Sequence, residues 1–139
     1  MLRDDFKFLI FMKYLGIDYG RARVGTAISD DEGKIAFPRD VFKNAGIGAL
    51  ADAIASLAKT EAALEIVLGL PRVVPGMDAS VRDEIQDLAD IIKKQYQIPV
   101  SFQDEFFTTR IAEEHSQKNA DASAAALILQ SFLDRRNEV

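Results

Sequence analysis

Leu15-Gly16-Ile17-Asp18-Tyr19-Gly20-Arg21-Ala22-Arg23-Val24-Gly25-Thr26-Ala27-Ile28-Ser29-Asp30 is the stretch from which the fold is read. Apolar residues fill Lys13–Asp18 and Val24–Ser29, while Gly20, Arg21 and Arg23 lie between them, which predicts two β-strands joined by a glycine-containing turn. Asp18 is the odd member. A carboxylate at the end of an apolar strand is costly to desolvate unless it pairs, accepts hydrogen bonds or binds a cation. Gly20, two residues on, removes a side chain where the backbone turns and leaves room for an anionic ligand or a metal near Asp18. The same residues also fit a plain turn, in which Asp18 accepts backbone N–H bonds and Gly20 supplies a positive φ.

Outward from this hairpin, Asp31-Glu32-Gly33-Lys34 is a polar turn and Ile35–Phe42 a third strand, which Pro38 demotes to an edge. The first three strands then form an antiparallel meander. Ile47, Leu50, Ile54 and Leu57 recur with helical spacing and predict an amphipathic helix through about Lys59. Ile66–Leu70 reads as a strand buried on both faces, and Asp78–Gln97 as a second helix with Val81, Ile85, Leu88 and Ile92 on one side. Ile98–Phe102 is a fifth strand running into Gln103-Asp104-Glu105. A short helix is expected from Phe107 or Thr108 to about Ser116, and a last one from about Asp121 to Arg136. With right-handed crossovers this order gives an α/β fold: a mixed five-stranded sheet, a three-strand antiparallel meander plus two parallel strands, with helices on both faces. The first strand is central, beside the fourth.

A chain of 139 residues suffices for one domain with a proper core. That domain is expected to span 12–139, because Met12-Lys13-Tyr14-Leu15 makes a natural start, with 1–11 an extension outside it. Phe6–Met12 is far shorter than a membrane span and lacks a small-residue cleavage site, so it reads as neither anchor nor signal. The chain has no cysteine, which excludes disulfides and thiolate zinc sites and makes the cytoplasm the default compartment. A net charge of −5 argues against a protein that holds nucleic acid mainly by neutralising phosphates. A nuclease can still be acidic where its carboxylates cluster around metal ions.

Under the expected topology Asp18, Gly69 and Glu105 come to one edge of the sheet, where α/β folds place their sites. Asp121 opens the last helix, whose slim Ala124–Ala126 stretch lets it lie against the sheet with its N-terminus at the same place. Three carboxylates so close are tolerable mainly with divalent cations between them, and all-oxygen ligation suits Mg²⁺ or Mn²⁺ better than zinc. Two such ions can activate a water and stabilise the leaving oxygen in phosphodiester cleavage. Each residue also has a plainer reading. Asp121 fits a helix N-cap and Glu105 an exposed first-turn residue, while Asp104 is an alternative ligand on the opposite strand face. Arg21, Arg23, Arg72 and Arg110 are phosphate contacts or solvated turn residues. Thr108 and Thr109 read as a capping pair and His115 as a surface residue.

Four segments together resemble the YqgF family of Holliday-junction resolvases, also described as pre-16S rRNA processing nucleases. They are Leu15–Gly20 continuing through Arg23–Asp30; Ile66–Pro71 with Gly76; Pro99-Val100 leading to Asp104-Glu105 and Thr108-Thr109; and Asp121 with Ala124-Ala125 and Ile128-Leu129. The resemblance implies an RNase H-like fold and assigns Asp18, Glu105 and Asp121 as the catalytic, metal-binding carboxylates. Beside them, Arg21, Arg23, Arg72 and Lys118 are read from the residues themselves as substrate contacts. The implied activity is an endonuclease on structured RNA or branched DNA, acting at the 5′ end of pre-16S rRNA as a monomer or weak homodimer. A Holliday-junction resolvase needs a dimer. Two departures, Phe106 where the family has arginine and a short Arg110–Ala120 segment, motivate the alternative of a catalytically weak, nucleic-acid-binding ribosome-assembly module. An actin-like kinase, suggested by the Asp18-Tyr19-Gly20 turn, needs two lobes that one domain cannot form.

Overall fold

Strand β1 (Tyr14–Asp18) is buried at all five positions, so it needs partners on both edges and cover on both faces. The computed structural model, which describes residues 12–73, 75–76, 78–105 and 117–138, supplies both. Strands β2 (Arg23–Ser29) and β3 (Ala36–Lys43) return antiparallel. Helix α1 (Ile47–Glu61) leads to β4 (Glu65–Pro71), helix α2 (Ser80–Tyr96) leads to β5 (Val100–Glu105), and α3 (Gln117–Arg136) follows. The sheet order is β3-β2-β1-β4-β5, with β4 parallel to β1 and β5 parallel to β4. This is the expected mixed sheet, with β1 at its centre.

Strand alternation divides the sheet between two cores. Leu15, Ile17, Ile66 and Leu68 meet Leu50 and Ile54 of α1 and Ile85, Leu88 and Ile92 of α2. On the opposite face Tyr14, Ala27 and Val67 meet Ala125, Ile128, Leu129 and Leu133 of α3. Each fully buried Leu or Ile contributes about 1.5–3 kcal/mol, whereas an exposed ion pair contributes about 0–1, so the two cores fix the architecture. Glycines let α3 come close. A Cβ on Gly16 would lie 2.7 Å from Leu129 Cβ, and one on Gly25 would overlap the carbonyl of Asp121.

Pro38 lies on the edge strand, opposite Ala27 and beside a register shift between Gly25 and Ala27. The Thr26 hydroxyl bridges this irregularity, accepting the Asp40 N–H and donating to the Asp40 carbonyl, both at 2.9 Å. Edge strands and bulges are where a residue without an N–H is tolerated.

Two boundaries differ from expectation. β5 continues past Phe102 because Gln103, Asp104 and Glu105 pair with Gly69, Leu70 and Pro71. α3 begins at Gln117, so Asp121 lies inside the helix and is not its N-cap. The expected short helix and the N-terminal extension, with Phe106, Thr108, Thr109, Arg110 and His115, lie outside the described residues. Among those described, no helix is long and apolar enough to cross a membrane.

Candidate active site

Register places a row of residues across the sheet at the level of Asp18. Gly25 pairs with Asp18 on one side and with Val41 on the other. The Ile17–Leu68 pair brings Gly69 level with Asp18, and Gly69 pairs with Gln103. The row is therefore Val41, Gly25, Asp18, Gly69, Gln103, all on the face covered by α3. One same-face step beyond the end of β1 come Lys43 and Arg23 on β3 and β2, and Pro71 and Glu105 on β4 and β5.

Asp18 is 9% exposed. The glycines on either side, Gly25 and Gly69, set no side chains beside it. Over Gly25 lies the backbone of Asp121, which leaves no room for a Cβ there. Asp121 thus lies over the residue that pairs with Asp18 on the neighbouring strand. Arg23 donates from Nε to Asp121 Oδ2 at 2.8 Å, so the carboxylate is held from the side.

Gln103 is 5% exposed, and its Oε1 is the one buried side-chain polar atom without a hydrogen-bond partner among the described residues. A buried unpaired acceptor costs about 1–3 kcal/mol, and such a group calls for an explanation. Asp104 is exposed and pairs with Leu70, whose side chain belongs to the α1/α2 core. Alternation therefore separates Asp104 from the Asp18 face and leaves Glu105, the last residue of β5, at the site end of the strand. Among the described residues no group of three His, Cys, Asp or Glu side chains is assembled to hold a metal.

The expected cations are distributed differently. Arg21 donates from Nε and Nη2 to Glu84 Oε2 at 3.1 and 2.8 Å and from Nη2 to the Ser80 hydroxyl, while the Tyr19 hydroxyl donates to Glu84 Oε1 at 2.7 Å. These bonds from Arg21 and then Tyr19 hold the Glu84 carboxyl below its usual range. Burial, and then Glu84, push the Tyr19 phenol up. The turn after Asp18 is thereby tied to α2. Arg72 is exposed just after β4, and Lys118 lies in the first turn of α3. Gln103 and Glu84 take their places through tertiary contacts that no local sequence pattern marks. The one signal in the sequence is that Gln103 is a polar residue in the strand that delivers Glu105.

The same architecture is found in solved structures. The chain superposes on T. thermophilus RuvC, solved with a Holliday junction substrate, with a TM-score of 0.61 and 14% identity over 91% of this chain and 96% of that one. It superposes on the fowlpox virus resolvase, solved with Holliday junction DNA, with a TM-score of 0.54 and 12% identity over 91% and 100%. At such identities the likeness is one of fold, and that fold is RNase H-like. Sequence relatives narrow it. A protein of Nitratidesulfovibrio vulgaris is 33% identical over 88% of this chain and 94% of its own length, and one of Maridesulfovibrio salexigens 31% identical over 89% and 99%. Both carry the name "Putative pre-16S rRNA nuclease". The class is that of a nuclease, a hydrolase acting on nucleic acid. Residues 12–135 match the RuvX family, described as Holliday junction resolvase, and the chain belongs to that family.

Proposed function

We propose that this chain is an endonuclease dependent on Mg²⁺ or Mn²⁺ that hydrolyses phosphodiesters in structured nucleic acid. Its substrate on this reading is the 5′ end of pre-16S rRNA, in keeping with the names of its relatives. One observation carries the reading. Gly25 pairs with Asp18 while the Asp121 backbone occupies the place of its missing side chain, so two acidic residues 103 positions apart are held at one spot. With Glu105 at the end of β5, these are the three catalytic, cation-binding carboxylates. The donors fit a hard cation: they are oxygens, and the buried Gln103 Oε1 on the same row has no hydrogen-bond partner among the described residues. Such an ion, when bound, supplies Lewis acidity at the scissile phosphate.

The chain's own residues do the rest. Asp18 is fixed at the end of a fully buried strand. Arg23 orients Asp121, and the Glu84 latch sets the turn through Arg21 and Tyr19. Arg72 and Lys118, at the same end of the sheet, contact phosphate. The test is cleavage of a pre-16S rRNA leader, a four-way DNA junction and single strands with Mg²⁺ or Mn²⁺, comparing wild type with Asp18→Asn. The expected result is metal-dependent cutting of the leader, lowered by more than about 100-fold in the variant. Symmetric cutting of the junction alone replaces this reading with a dimeric resolvase. Binding without cutting by either protein replaces it with the assembly module.

A further inference from the structure

Beside the carboxylates, on the β2–β3 side, a groove of about 460 Å³ is lined by Ala22, Arg23, Val41 and Lys43. Its position follows from the register. Val41 pairs with Gly25 and Lys43 with Arg23, so the groove lies on the face that carries Asp18, over β2 and the edge strand β3.

Its charge is the unusual feature. Arg23 and Lys43 stand directly opposite each other on antiparallel strands, and like charges so placed destabilise a sheet. Asp121 offsets Arg23 at 2.8 Å, but among the described residues Lys43 makes no ion pair. The net charge of the chain is −5, with carboxylates outnumbering cations, so a second cation left beside Arg23 is not for want of acidic partners. The wall between the two cations is apolar, from Ala22 and Val41. An anion with an apolar body suits such a groove, and a sugar–phosphate backbone has both.

We propose that this groove binds the backbone of the substrate strand next to the cleaved bond, with Lys43 as its phosphate contact. This rests on the nuclease reading and gives that site a substrate path. Lys43 lies two strands from β1, about 10 Å at the usual strand spacing, so its phosphate is a neighbour of the scissile one and not that phosphate itself. Arg23 joins the two regions, its Nε donating to Asp121 and its side chain in the groove wall.

The experiment measures binding, apart from cleavage. Fluorescein-labelled stem-loop RNA with a single-stranded 5′ extension, and a labelled four-way DNA junction, are titrated by anisotropy across KCl concentrations without divalent ions. The proteins are wild type, Lys43→Gln, Lys43→Glu, Lys43→Arg and, as a control on the far side of the molecule, Lys59→Gln. Lys43 is exposed, so its variants fold. Lys43→Gln is expected to weaken binding about three- to tenfold near 0.1 M salt and to lower the slope of log K against log salt by about 0.7–1. Lys43→Glu weakens it further, whereas Lys43→Arg and Lys59→Gln bind as wild type does. Equal affinity and slope for wild type, Lys43→Gln and Lys43→Glu would overturn the proposal, as would a wild type that binds neither probe. If those variants bind normally while wild type cuts and Asp18→Asn does not, the groove fails and the nuclease stands. If Lys43 controls binding but no protein cuts, the groove stands and the nuclease fails. The probe that shows the larger Lys43 effect identifies RNA or DNA as the strand held.

Discussion

At Gly25 a single missing methylene decides where a catalytic candidate sits. The Asp121 carbonyl occupies the space a Cβ would need, so Gly25→Ala must push α3 away from the sheet. Overpacking of this kind costs about 1–3 kcal/mol, and here it also carries Asp121 away from Asp18. Denaturant titration of Gly25→Ala is expected to show that loss together with a collapse of cleavage. Gly48, in α1, has nothing within 4 Å of its would-be Cβ. Gly48→Ala should therefore gain about 0.5–1 kcal/mol from helix propensity with cleavage unchanged. Equal effects at the two glycines would refute the close approach. Gln103 makes a related point. An apolar residue would be more stable at a 5% exposed position than an amide whose oxygen has no partner among the described residues. Its presence there, level with Asp18, fits the proposed site better than it fits a core.

Among the elements, α3 carries most of the difference between what the sequence reveals and what the structure adds. The alternation of β1 and the helical spacing in α1 and α2 are legible because each element shows its buried side in its own residues. α3 begins with Gln117-Lys118-Asn119, which carries no apolar period, so its first turn could not be read and Asp121 looked like a cap. The bond that holds Asp121 comes from Arg23, 98 residues earlier, and the burial of Gln103 comes from the alignment of three strands. No local pattern encodes either. What the sequence did hold was the slimness of the helix: Ala125 is fully buried, and its carbonyl would lie 3.1 Å from a Cβ on Gly16. Ala125→Leu is thus expected to destabilise the protein by about 1–3 kcal/mol. Leu127→Ala, two residues on at a position 37% exposed, should stay within about 0.5 kcal/mol of wild type. Urea midpoints of the two variants check this, and a tolerated Ala125→Leu would mean that α3 is free to ride higher on the sheet.

The whole molecule should lose stability at both ends of the pH scale, for opposite reasons. The Arg21 guanidinium holds the Glu84 carboxyl below its usual range, and Arg39 does the same for Glu61. The Ser80 backbone N–H and hydroxyl lower Asp78. Burial acts upward on Asp30, but the N–H groups of Ile35 and Lys34 outweigh it. A carboxyl lowered by folding stabilises the protein above its unfolded pKa, about 4, and that contribution is lost as pH falls through the folded value. These groups are largely solvated, so each adds little and the acid limb is shallow. The phenols behave in the reverse sense. Burial raises Tyr14, Tyr19 and Tyr96 above the ordinary phenol value, so the folded state keeps protons that the unfolded chain gives up. Their contribution is complete below pH 10 and disappears as pH rises through the folded values. Thermal melts from pH 3 to 11 are expected to trace a plateau with these two shoulders. Glu84→Gln should flatten the acid shoulder, and the combined Tyr14→Phe, Tyr19→Phe and Tyr96→Phe variant the alkaline one, with tyrosinate absorbance reporting the ionisation directly. An alkaline shoulder that persists in the triple variant would place the loss in groups other than the three phenols and overturn this assignment.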